Sequence, residues 1–148
     1  MRRRAANLIA LAFLVYGLIR LGVGSVLLAQ AVGLIDFPVF QEPLVEIGGF
    51  LAKSSERQII AVSVPGYLGY IALMGLALVA GAFRTLKHLP FGLPGIGTFI
   101  AMYVALFVNF QTINPKAIHL AVCIVLFITL IWLKGGSGGL GSPSRRAG

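Results

Sequence analysis

Residues 8–35 read LIALAFLVYGLIRLGVGSVLLAQAVGLI and belong to an apolar stretch from Ala5 to Ile35 that holds one charged residue, Arg20, near its middle. An α-helix rises about 1.5 Å per residue, so the roughly 20 residues that cross a hydrocarbon core fit inside this stretch with length to spare. A guanidinium at that depth costs between about 2.5 and more than 10 kcal/mol, depending on how the cost is assessed. The protein must therefore supply Arg20 with partners or water. The remaining helices are read as packed around that need, which makes the chain an integral membrane protein.

Composition agrees. The 148 residues are 58% hydrophobic and 11% charged, with mean hydropathy +0.96, whereas a soluble domain is about 25% charged. One domain fits this length. The net charge of +8 sits at the ends of apolar segments, so it orients the chain in a bilayer and does not indicate nucleic acid. The single cysteine, Cys123, excludes an intramolecular disulfide and reads as a small buried hydrophobe.

Met1-Arg2-Arg3-Arg4 ahead of an apolar run, with Ala29 and Ala31 beyond it, has the outline of a secretory signal. The run is about twice the usual length and carries Arg20, so an uncleaved first span over residues 6–32 is the better reading. Ser25, Ala29 and Gly33 repeat every four residues and predict a face for close helix packing.

Residues 36–58 hold all four acidic residues: Asp36, Glu42, Glu46 and Glu56. Pro38 and Pro43 start new structure there. Phe40, Leu44, Ile47 and Leu51 then fall on one helical face, with Glu42, Glu46 and Lys53 opposite. This predicts a short amphipathic helix in the first outer loop, on the membrane surface or over the bundle mouth.

The second span is predicted over residues 59–83, with Pro65 one turn inside causing a kink or a late start. Gly66, Gly69, Gly75 and Gly81, with Ala77, suggest close helix contacts. Arg84, Lys87, His88 and the breaker-rich stretch from Pro90 to Gly95 form a turn. The third span covers residues 97–112 and ends at Asn114-Pro115, and the fourth covers 117–133. The fold class is thus all-α, a four-helix transmembrane bundle over residues 1–134. The tail 135–148, GGSGGLGSPSRRAG, is low-complexity and expected to be disordered.

Basic residues set the orientation. Arg2, Arg3, Arg4, Arg84, Lys87, Lys134, Arg145 and Arg146 share one side of this topology, against Lys53, Arg57 and Lys116 on the other. The imbalance predicts both termini in the cytoplasm of a cell with an inner membrane, and the acidic loop outside.

Depth then groups the polar residues. Arg20 lies about 13 residues from Asn7, and Asn109 about 12 from Gly97, at the same side of the bilayer. Gln111, Ser63 and His119 fall in the outer half, and Tyr16 is one turn from Arg20. An outward-facing polar pocket is therefore expected around Arg20, Asn109, Gln111 and His119, with Tyr16 and Ser63 nearby, and Asp36, Glu42 or Glu46 reaching Arg20 from above. The bland alternatives stand beside it: interhelical hydrogen bonds for Asn109 and Gln111, an interfacial place for His119, and a structural Arg20.

No carboxylate lies inside an apolar span, which argues against a proton-coupled exporter of the small four-helix kind. No set with metal-ligand spacing, no haem-ligating His pair, no nucleophile with a base and no phosphate loop is present, so no catalytic residue, metal or cofactor is assigned.

The segment Leu18-Ile19-Arg20-Leu21-Gly22-Val23-Gly24 resembles the Arg-containing first helix of the DoxX-like four-helix membrane proteins. Ala72 to Arg84, ALMGLALVAGAFR, is similar to that family's Gly-rich second helix with a basic end. The resemblance spans most of residues 8–133. Tyr70-Ile71-Ala72 stand where the family has an acidic residue. It implies four spans and, since the family includes accessory subunits of quinol-linked oxidases, a role beside another membrane protein. The expected function is an accessory or interaction subunit whose polar pocket takes a lipid, a quinone or a partner helix. The alternative is a small homo-oligomeric transporter or channel with Arg20 lining an anion path.

Overall fold

The computed structural model describes residues 1–111 and 116–135. Every regular element among them is helical: α1 (Arg2–Ala31), a 3-10 turn (Pro38–Phe40), α2 (Gln41–Ser54), α3 (Val64–Leu86), α4 (Gly92–Phe110) and α5 (Lys116–Gly135). All but α2 and the short turn are long and apolar enough to cross a membrane, with mean hydropathies of 2.0, 1.8, 1.7 and 2.3 in chain order. The chain is a small multi-pass helical membrane protein. The expected Asn114-Pro115 turn and all but the first residue of the predicted tail lie outside the described residues.

α3 is central. It packs along α1 on one side and α4 on the other, while α5 closes the group with a thinner contact to α1 and α4. The buried residues of α1 are Ala6, Ala10, Phe13, Gly17, Gly24 and Leu27. Their steps of three, four and seven draw a seam of the kind that left-handed helix pairs share. α4 buries Gly92, Ile96, Phe99, Tyr103 and Phe110 on the same rhythm. Arg20 falls on the α1 seam, three residues after Gly17 and four before Gly24.

Backbones touch where this seam carries glycine. A Cβ on Gly75 would lie 2.5 Å from Leu21 N, and one on Gly81 would lie 2.5 Å from Ile96 N. Two of the four glycines predicted for α3 contacts therefore serve that purpose. Gly69 meets only the far end of Leu28, and Gly66 lies beside its own cap, Ser63. The close-packing face of α1 is also not the one expected. Ser25 is exposed, and a Cβ on Gly33 would meet nothing within 4 Å. Gly24, one residue from Ser25, meets Ala72 instead, because the seam repeats every seven residues and not every four.

α3 starts at Val64, five residues after the apolar run begins. Ser63 caps it by accepting from Gly66 N at 3.2 Å, and Pro65 sits in the first turn, where its missing N–H costs nothing. The late start expected from Pro65 is thus what occurs. α2 turns Leu44, Ile47, Phe50 and Leu51, together with Phe40, toward Leu27, Tyr67, Leu68 and Phe110. It closes the end of the bundle opposite Met1.

Candidate functional site

Gly75 meets the backbone of Arg20 and Leu21, so Arg20 stands level with the midpoint of α3. Its side chain is half-buried. The guanidinium carbon sits 4.4 Å from the centroid of the Tyr103 ring, 5.3 Å from Tyr16 and 5.7 Å from Phe99. These rings are themselves locked, Tyr16 edge-on to Phe99 at 6.2 Å and Phe99 tilted on Tyr103 at 5.7 Å. Phe99 and Tyr103 are almost fully buried, so the aromatic wall is rigid. Each such contact is worth about 0.5–2 kcal/mol, rising as water is excluded.

The rings satisfy charge and leave the hydrogen bonds. A guanidinium carries five N–H donors. The one hydrogen-bond acceptor that Arg20 meets among the described residues is Met74 Sδ, 4.0 Å from Nη1, and thioether sulfur accepts weakly. No carboxylate within those residues pairs with it. Asp36 accepts instead from Gln30 Nε2 at 3.3 Å and Gln41 Nε2 at 3.5 Å, while Glu42 and Glu46 are exposed on α2. The expected approach of an acid from above is not what the loop does, because α2 turns its apolar face to the bundle and its acids away.

Arg20, Gly24 and Leu27 of α1, Ile47 of α2, Tyr67 and Ile71 of α3 and Lys116 of α5 line a groove of about 270 Å³. Among the described residues that line it, two are cations and none is an acid. Apolar walls at this depth keep the local dielectric low, which strengthens any attraction to an anionic or carbonyl oxygen.

Among the other residues expected at the pocket, only Tyr16 joins Arg20. Asn109 is spent on the chain ahead of α3: its Nδ2 donates to Ile60 O at 3.1 Å and its Oδ1 accepts from Ile60 N at 2.8 Å. Its own carbonyl accepts from Ile59 N at 3.1 Å. It pins two exposed isoleucines whose backbone has no helix to bond within. Asn109→Ala is expected to cost about 1–3 kcal/mol and to speed amide exchange at Ile60 by about tenfold or more, read by hydrogen–deuterium exchange. Ser63 is the α3 cap. Gln111 ends α4 in the left-handed region with φ 48°, and it and His119 are exposed.

Sequence reasoning missed Met74, Phe99 and Tyr103. The signal was present: Ile96, Phe99 and Tyr103 continue the three-and-four spacing of α4, and Arg20 continues that of α1. Matching the two seams places Arg20 opposite aromatic rings, whereas counting residues from the helix starts placed it opposite Asn109.

No protein-family model, curated protein or solved structure matches the chain.

Proposed function

We propose that the protein is an accessory or interaction subunit of an inner membrane, with both termini cytoplasmic, that holds an amphiphile by its polar head against Arg20. The carrying observation is the guanidinium at mid-helix depth, stacked on three aromatic rings, with N–H donors that no carboxylate or carbonyl of the described residues accepts. A guanidinium at that depth whose N–H donors lack strong acceptors is expensive. A ligand that brings an oxygen, such as a quinone carbonyl or a lipid head group, offsets the cost, and its chain lies along Leu27, Ile47 and Ile71. The resemblance of the Arg20 and Gly75 segments to DoxX-like helices, a family with members that serve quinol-linked oxidases, supports the same reading.

The test is native mass spectrometry of the gently solubilised protein and its Arg20→Leu variant. Wild type is expected to carry a defined lipid, quinone or protein companion that the variant lacks. If both are bare and equally assembled, the reading fails. Arg20-dependent anion flux in liposomes would then assign the residue to a pore.

A further inference from the structure

A second cavity lies at the opposite end from α2, where α1 begins and α5 ends. Arg3 and Asn7 of α1, His88 of the α3–α4 turn and Lys134 of α5 surround about 360 Å³, with Leu89 and Leu133 as its apolar wall. Three separate elements thus bring donors to one place. Lys134 is held there: its Nζ donates to Thr85 O at 2.9 Å. The Arg2 guanidinium stands 5.1 Å from the Trp132 ring, which ties the start of α1 to the end of α5.

His88 reaches the cavity through an unusual backbone. Its φ is 55°, and Leu89 N donates to Arg84 O at 2.8 Å while His88 N donates to Thr85 O at 3.3 Å. That is a helix stop of the kind glycine usually makes. A histidine here turns a helix end into a wall of the cavity.

Charge and depth together identify the occupant. All four acids of the chain fall between residues 36 and 56, so none faces this end. Trp132, 66% exposed, lies two residues before Lys134 and against the Arg2 guanidinium, at the level where tryptophan meets lipid head groups. A cationic cavity with an apolar wall at that level is complementary to a phosphate that carries acyl chains.

We propose that this cavity binds the phosphate of an anionic phospholipid, with Arg3, Asn7, His88 and Lys134 on the head group and Leu89 and Leu133 against its chains. The site is independent of Arg20, and Arg20→Leu leaves it intact.

Retention of added phosphatidylglycerol and phosphatidylcholine by the full-length protein, read by native mass spectrometry, tests it. Wild type is expected to keep phosphatidylglycerol in preference. Arg3→Gln is expected to lower that retention about fivefold, the effect of removing one cation near a lipid surface. Asn7→Asp, which adds a carboxylate at the cavity, should lower it as well. Arg57→Gln, the same charge loss in the acidic segment, should leave it unchanged. Equal retention of both lipids by wild type overturns the proposal, as does an Arg3→Gln variant that behaves like wild type or an Arg57→Gln variant that loses as much. Displacement of phosphatidylglycerol by millimolar inorganic phosphate would assign the cavity to a soluble phosphate and overturn the lipid.

Discussion

Gly81→Leu is expected to abolish the folded protein, leaving no monodisperse species on size-exclusion chromatography in mild detergent. At this point α3 and α4 touch through backbone alone. A Cβ on Gly81 would lie 2.5 Å from Ile96 N and 2.7 Å from Gly95 C, and one on Gly95 would lie 2.7 Å from Gly81 Cα. Main-chain atoms have no rotamer to escape into, so the helices must part. Parting them opens the layer of Leu78, Ala82, Ile96 and Phe99, all fully buried. Extra methylenes in a packed core already cost about 1–3 kcal/mol where side chains can shift. Here nothing can shift, and the loss approaches the whole stability of a small domain, about 5–15 kcal/mol. Gly22 supplies the control, since a Cβ there would meet nothing within 4 Å. Gly22→Ala is expected to melt like wild type or up to about 1 kcal/mol better, because glycine is the poorer helix former. A Gly81→Leu protein that melts like wild type would mean that α3 and α4 are further apart.

The second large effect has opposite signs in two assays. Arg20→Leu is expected to raise thermal stability in ligand-free detergent by about 1–2 kcal/mol while eliminating the bound amphiphile. The guanidinium costs at least about 2.5 kcal/mol at this depth. The rings of Tyr103, Tyr16 and Phe99 offset part of a cost that runs from about 2.5 to more than 10 kcal/mol, at about 0.5–2 kcal/mol for each well-placed contact, and they leave the N–H donors unmet. Leucine keeps the apolar packing and removes the charge. Arg20→Glu should do the reverse, since a carboxylate would face the negative faces of the same rings. Thermal melts of the two variants check both signs. An Arg20→Leu protein that unfolds would show that the arginine is structural and would remove the reason for placing a ligand there.

Several features of this protein were legible from residue order alone. Four long apolar runs and their basic flanks sufficed for four membrane-crossing helices, because crossing hydrocarbon depends on length and composition and on little else. The face of α2 was legible for a similar reason: Phe40, Leu44, Ile47 and Leu51 share one side of a helix, and that side meets the bundle. Ser63 and Pro65 carry the signature of a helix start, so the late beginning of α3 was also within reach.

The surroundings of Arg20 were not legible in that way. Depth counted from presumed helix starts is uncertain by a turn, and α1 begins at Arg2, earlier than its apolar run. Tyr103, the α4 ring that faces Arg20, stands six residues before Asn109, nearly two turns, and α4 also begins five residues early, at Gly92, so the way the helices cross and not their starts sets the facing residue. Likewise the four-residue repeat of Ser25, Ala29 and Gly33 names a face, yet only the crossing of two helices selects which small residues touch. Gly17, Gly24, Gly75 and Gly81 were selected because a seam shared by two helices repeats every seven residues. Which helices cross a bilayer is a property of each segment by itself, so sequence determined it. Which side chains surround a buried cation is a property of two segments and the angle between them, and only the tertiary structure decided it.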